Sequence, residues 1–303
     1  MPIAEKSLTY INNKILNGEV VVLTEEEFID EVRKGRTINS PDIDVITIAC
    51  QAAISGTAAM LCVPVAERGV FTRAKKIWLN GILGFPGPAP NERLGLVDTL
   101  IFADQPGSDV QVYYDGARLL LDIINRKKIQ VECLSVEGDT YRNSFTLDDL
   151  EFARIYSYNF FLDPFGAEKP SHYPGQFLRM VRVGSKIILN KAPGIVIGCG
   201  THSTPERKAL SLAADMFEMD PRLMSGLGHR TGISITNTLA LGVPVTNKSI
   251  LDNLATYIDE KNYKKINESM TDPEKEMACY LKELILKERC LLTESDMELK
   301  HWV

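Results

Sequence analysis

The groups best suited to covalent chemistry in this chain are thiols, and the least shielded of them is Cys199. It stands in Gly198-Cys199-Gly200-Thr201-His202-Ser203-Thr204-Pro205. The thiolate is the nucleophilic form of cysteine, and two flanking glycines leave it open to approach. His202, three residues on, is placed to act as its base, with His229 as an alternative. Pro205 suits the first turn of a helix predicted over Glu206–Phe217. A Gly-rich loop feeding such a helix presents free N–H groups to an anion, and Gly200 and Thr201 lie in it. Cys50 closes an apolar run, Ile43–Cys50, and is either a second nucleophile or a core thiol. Cys62 and Cys133 lie inside apolar runs and read as core. None of the six cysteines forms a C-x-x-C pair, which disfavours a locally built zinc or iron–sulfur site.

Three stretches offer ligand contacts. Between apolar runs at Ile77–Leu79 and Val97–Ala103 lies a segment dense in Gly and Pro, carrying Asn80, Asn91, Glu92, Arg93 and Asp98. Prolines restrict its backbone, and a held loop between buried strands is a common place for binding groups. The other reading is a stiff crossover with a helix cap at Asn91. After the Ile43–Cys50 run come Ser55-Gly56-Thr57, small enough for close backbone approach to a ligand, or else a tight turn whose hydroxyls only cap. Arg142 and Arg93 are the candidate anion clamps.

The elements that must position these groups follow from periodicity. Helical spacing marks Ser7–Leu16, ended by Gly18, and a helix opened by Thr24 with Glu27 as its capping-box partner. Ala117–Ile124 is another helix, and Thr146 with Asp149 opens a short one. Glu19–Leu23, Ile43–Cys50, Ile129–Val136, Val181–Leu189 and Gly194–Gly198 read as strands. A last helix, with Pro273 in its first turn, leads into a Lys- and Glu-rich tail. The pattern predicts an α/β fold. Its sheet is mixed or mostly parallel, with flanking helices, Gly/Pro-rich loops at strand ends and a C-terminal helical appendage. The expected division is a core over 1–262 and a helical tail over 263–303.

Composition narrows the function. The 303 residues are 45% hydrophobic and 24% charged, with a net charge of -6. An acidic balance argues against a nucleic-acid or anionic-membrane surface. No apolar run is long enough to span a bilayer, and no leader is evident, so a cytoplasmic protein is expected.

Several stretches in order along the chain are Asp44-Val45-Ile46-Thr47, Ser55-Gly56-Thr57, Val63-Pro64-Val65-Ala66-Glu67, Trp78-Leu79-Asn80-Gly81, Pro90-Asn91-Glu92-Arg93-Leu94-Gly95, Gly198-Cys199-Gly200-Thr201, and Asp215-Met216 followed by Met219-Asp220-Pro221. Together they resemble the homocysteine-biosynthesis family of anaerobes, whose best-understood branch is L-aspartate semialdehyde sulfurtransferase. Ser-Gly-Thr followed by Val-Ala-Glu, and Pro-Asn-Glu-Arg-Leu-Gly, look more like the branch called methanogenesis marker protein 16, described as a metalloprotein. The resemblance implies sulfur insertion: a cysteine carries sulfur as a persulfide, delivers it to the aldehyde of aspartate semialdehyde, and a reduction yields homocysteine.

The resemblance also implies thiols that are missing. The family cysteine before Ser-Gly falls where this chain has Ala52-Ala53-Ile54, and the one before Tyr-Pro-Arg falls at Thr140. Cys50, four residues before Ile54, is the candidate substitute. The ferredoxin-like segment common in the marker branch has no counterpart among Cys279 and Cys290. The implied set is therefore Cys50, Cys199 and His202 for catalysis, with Ser55, Gly56, Thr57, Asn80, Asn91, Glu92, Arg93, Asp98, Arg142, Gly200 and Thr201 around an acidic amino-acid derivative. A metal or an iron–sulfur electron donor would come from a ferredoxin-like partner, and a homo-oligomer is expected. The alternative is a divergent relative that binds a ligand or metal in anaerobic C1 or cofactor metabolism.

Overall fold

The computed structural model describes residues 6–35, 42–54, 56–87, 91–107, 114–160, 181, 183–201, 209–224, 235–252 and 272–292. The chain forms two compact units. The first comprises Met1–Ala52, Phe161–Leu210 and Thr238–Val303; the second comprises Ala53–Phe160 and Ser211–Asn237.

The first unit begins with α1 (Leu8–Asn17). Ser7 caps it by accepting the Tyr10 N–H, and Gly18 closes it at φ 79°. β1 (Val22–Thr24) leads into α2 (Glu25–Arg33), held by the reciprocal Thr24–Glu27 capping box that the sequence predicts. β2 (Val45–Ile54) runs parallel to β1. β10 (Lys186–Leu189) pairs antiparallel with β11 (Ala192–Cys199) and with the later part of β13 (Ile235–Pro244). Phe28, Ile29, Ile43, Ile46, Val245 and Leu251 make one buried cluster between α2 and the sheet. Each such side chain contributes about 2 kcal/mol of burial. The last described helix, α4 (Asp272–Lys287), lies on β1 and β2. The Thr47 hydroxyl donates to the Ala278 carbonyl at 2.9 Å, and Met277, Ala278, Leu281 and Ile285 are buried beneath it.

The second unit is built on a sheet in the order β12-β9-β3-β6-β5-β4-β7-β8. The strands are β3 (Thr57–Pro64), β4 (Ala74–Leu79), β5 (Ile82–Pro86), β6 (Leu96–Phe102), β7 (Ile129–Ser135), β8 (Thr140–Phe145), β9 (Ala153–Phe160) and β12 (Leu210–Asp215). The β3–β6, β3–β9, β4–β5, β4–β7, β5–β6 and β7–β8 pairings are all antiparallel. α3 (Gly116–Ile124) buries Leu119, Leu120 and Ile123. The fold is α/β with a mixed sheet, and its pairings are mostly antiparallel rather than mostly parallel.

Three elements differ from the expectation. The described part of the helix expected over Glu206–Phe217 is strand β12. Its run Leu210–Ala214 is buried throughout, Ser211 included, and a short run buried on both faces does not distinguish helix from strand by period. The helix expected after Thr146 is a single turn, Leu147–Asp149, before β9 begins. The Gly/Pro-rich segment contains a strand, β5. Gly84 faces Thr99 and Ile101 so closely that a Cβ there would lie 2.5 Å from the Thr99 methyl, so the ladder itself requires glycine.

Two hairpins share one device. At Asn80-Gly81, φ is 47° and 81°, and at Asn190-Lys191 it is 51° and 75°, the backbone of a two-residue turn with both residues left-handed. The Asn80 N–H donates to the Gln130 carbonyl at 2.9 Å, and its side-chain oxygen accepts the Gln130 N–H at 2.8 Å. Asn190 does the same with Thr238, at 2.8 Å both ways.

Candidate functional site

The cysteines separate by burial. Cys199 is exposed at the end of β11, with nothing within 4 Å of where a Gly198 side chain would stand. The Gly200 N–H donates to the Ala209 carbonyl at 2.8 Å, so the backbone after the thiol is fixed while the thiol faces outward. Thr201 is exposed. Cys50 is buried in β2. Burial pushes the Cys62 thiol up to about 12, with the hydrogen bond to Asp98 adding to the effect. Burial, helped by Glu92, raises Cys133 to about 11. Both stay protonated at neutral pH and are poor nucleophiles. His202, His229 and Ser55 lie outside the described residues.

The segment read as one loop is divided by β5. Asn80 is at one end of the β4–β5 hairpin, and Asn91, Glu92 and Arg93 are past the other end, a strand length of about 15 Å away. Asn80 is committed to its turn. Its side-chain amide also donates to the Tyr114 hydroxyl at 3.1 Å, and Tyr114 donates to Asp122 at 3.0 Å. Burial raises Tyr114 to about 12; the Asn80 bond lowers it and the Asp122 charge raises it.

Asn91–Gly95 is a closed turn. The Leu94 and Leu96 N–H groups donate to the Asn91 carbonyl, and the Gly95 N–H donates to the Glu92 carbonyl. Asn91 does not cap with its side chain; it donates instead to Asp98 at 3.0 Å. Glu92 is buried and its carboxylate accepts the Ala74 N–H at 3.3 Å, a structural role. Arg93 is exposed, while its carbonyl accepts the Gly69 N–H at 3.0 Å. Gly95 is at φ 83°, where a Cβ would lie 1.9 Å from the Ala66 carbonyl oxygen.

Gly56, at φ 117°, lies between β2 and β3, so this stretch of small residues joins two strands. Thr57 is buried and its hydroxyl accepts from the Asn237 side chain at 3.5 Å. Arg142 is exposed on β8 and pairs with Glu132 at 2.9 Å. Trp78, Glu132 and Arg142 stand in register across β4, β7 and β8. With Asn80, Gly81 and Gln130 they line an open concavity of about 620 Å³. Asn80 and Arg142 are therefore brought together, as are Asn91 and Asp98. Sequence reading gave no site role to Trp78, Glu132 or the Cys62–Asp98 pair, which depend on cross-strand register, or to Tyr114, whose partner Asn80 is 34 positions away. Among the described residues no three of His, Cys, Asp and Glu are gathered to hold a metal ion, so no donor set for one is present there. No described helix is long and apolar enough to cross a membrane.

Three relatives frame these observations. An uncharacterized protein of Methanothermobacter thermautotrophicus is 34% identical over 82% of this chain and 65% of its own length. Proteins named L-aspartate semialdehyde sulfurtransferase from Methanocaldococcus jannaschii and Methanosarcina acetivorans are 26% and 25% identical, over 82% and 83% of this chain and 56% of their own lengths. The chain thus spans 56–65% of the length of these relatives. No solved structure matches it. Residues 20–162 and 175–282, which include Cys50, Cys199 and both polar turns of the second unit, match the family described as homocysteine biosynthesis enzymes of sulfur incorporation, and the chain belongs to that family.

Proposed function

We propose that the chain is a sulfur-incorporation enzyme that makes homocysteine from L-aspartate semialdehyde, with Cys199 as the thiol that carries sulfur. The observation that carries this reading is the exposure of Cys199 between two glycines in a chain of this family, while Cys50, Cys62 and Cys133 are buried and the other exposed thiol, Cys279, sits on α4, where burial and the Glu27 charge raise it. In this reading Cys199 holds sulfane sulfur as a persulfide. The terminal sulfur adds to the aldehyde carbon, and a reductant of the ferredoxin class supplies the electrons that cleave the S–S bond and replace the carbinol oxygen, lost as water, with hydrogen. His202 is the proposed base. Homocysteine formation from a sulfane-sulfur donor such as polysulfide, with a low-potential reductant present, measured for the wild type, Cys199→Ala and Cys50→Ala, tests the thiol role. Loss in Cys199→Ala supports it, and full activity in both variants overturns it.

A second reading has its own support. The relative at 34% identity is uncharacterized, whereas the named sulfurtransferases are at 25–26%. A divergent reaction on the same scaffold, in anaerobic C1 or cofactor metabolism, fits that ordering. Complementation of a homocysteine auxotroph separates the two: growth supports the first, and failure with soluble, folded protein supports the second.

A further inference from the structure

We infer that the concavity on the outer face of β4, β7 and β8 binds a free α-amino acid with a large apolar side chain. Its floor is three antiparallel strands. Trp78, Glu132 and Arg142 stand side by side across them, while Ile77 and Cys133 are buried on the opposite face. Side chains directly opposite on neighbouring strands start about 5 Å apart, so an indole, a carboxylate and a guanidinium form one row. The Asn80-Gly81 tip walls one end of it. That wall is fixed, because the Asn80 side chain bonds both the Gln130 N–H and the Tyr114 hydroxyl. The volume of about 620 Å³ suits a small molecule, whose pockets are commonly roughly 300–1,000 Å³.

The two charges set the chemistry of the ligand. The Arg142 Nε atom donates to Glu132 Oε2 at 2.9 Å, and among the described residues neither group pairs with any other. That single contact leaves both Arg142 Nη atoms and Glu132 Oε1 for a further partner. An α-amino acid brings a carboxylate to the first and an ammonium to the second, and the four charges then alternate. A simple anion would meet Arg142 but stand against Glu132, and a simple cation the reverse. The pair therefore selects a zwitterion. Trp78, on the far side of Glu132 and half-buried, offers its ring to the apolar side chain. An exposed ion pair contributes about 1 kcal/mol or less to stability, so sharing it with a ligand costs the fold little. The site is made of second-unit residues alone and owes nothing to the reaction proposed for Cys199.

Fluorescence of the full chain tests the site. The chain has two tryptophans, Trp78 and Trp302, so a Trp302→Phe background reports Trp78 alone. L-phenylalanine is titrated against two probes that lack charges: phenylacetate, without the ammonium, and N-acetyl-L-phenylalanine amide, without either charge. The expected result is a saturable change in Trp78 emission with L-phenylalanine, and binding weaker by about tenfold or more with each of the other probes. Arg142→Gln and Glu132→Gln each remove one pole and weaken L-phenylalanine by a similar factor. Both positions face solvent, and an unchanged far-UV circular dichroism spectrum checks that the variants fold. The site is overturned by no saturable change with L-phenylalanine, by phenylacetate or the blocked amide binding as tightly, or by wild-type affinity in either folded variant.

Discussion

Asn91 donates its side-chain amide to the Asp98 carboxylate at 3.0 Å, and across the β3–β6 ladder the same carboxylate accepts the Cys62 thiol proton. One acid thus holds both the polar turn and the thiol beneath it. Asp98→Asn replaces a charged acceptor with an amide that cannot serve both donors in the same way. We expect a loss of about 1–2 kcal/mol in stability, read from the urea midpoint at unchanged slope. An unchanged midpoint would show that the contact is not maintained in solution.

The thiols should report their surroundings directly. In native protein at pH 8, iodoacetamide should modify Cys199 readily, while Cys62 and Cys133 react only after unfolding. Burial shields both and holds them near 12 and 11. Peptide mass mapping of the alkylated chain checks this, and labelling of Cys62 at the rate of Cys199 would contradict the structure.

Gly95→Ala carries two costs, a left-handed φ and a Cβ driven into the Ala66 carbonyl oxygen. Gly138 is also left-handed, at φ 99°, but has nothing within 4 Å. Gly138→Ala should therefore cost about 1 kcal/mol, the backbone term alone, and Gly95→Ala several-fold more. Thermal melts of the two variants give the comparison, and equal shifts would remove the steric argument.

Two buried acids make opposite predictions for pH. For Asp44, burial alone would raise the carboxyl, but hydrogen bonds from Lys14, Lys6 and the Val21 N–H outweigh it and hold it below its ordinary value. Its contribution is present above the ordinary carboxylate range and is lost as pH falls through the depressed value. Glu25 is raised from 4.5 to about 7, so folding takes up a proton between those values. Its contribution is present below 4.5 and is lost as pH rises toward 7, by roughly 3 kcal/mol in all. Denaturant melts of Glu25→Gln should lose this decline, and those of Asp44→Asn should lose the acid-side fall instead.

Local grammar was legible in the sequence; long-range pairing was not. Thr24 with Glu27, Gly18 and the α3 face all follow from neighbours a few residues apart, and they stand as read. The Leu210–Asp215 strand did not, because a short run buried on both faces carries no period. Ile82–Pro86 was hidden by its own Gly and Pro, which serve the close approach to β6 and the strand end rather than a loop. That hidden strand also decides the site. Asn80 and Asn91 are eleven positions apart in sequence, but a fully paired strand lies between them, so a single binding lip could not be inferred correctly without it.

The twin asparagine turns have a mechanical consequence. A two-residue turn alone sets the register of its own two strands, yet a hairpin can still slide as a block along a third. With Asn80 bolted to Gln130, and Asn190 to Thr238, the tip itself becomes a rung of the next ladder. A slip of β4 against β7 by one residue would turn Trp78 from the outer face into the core and Ile77 out of it. The tip asparagine makes that slip break two hydrogen bonds before it begins, so each hairpin carries its own stop.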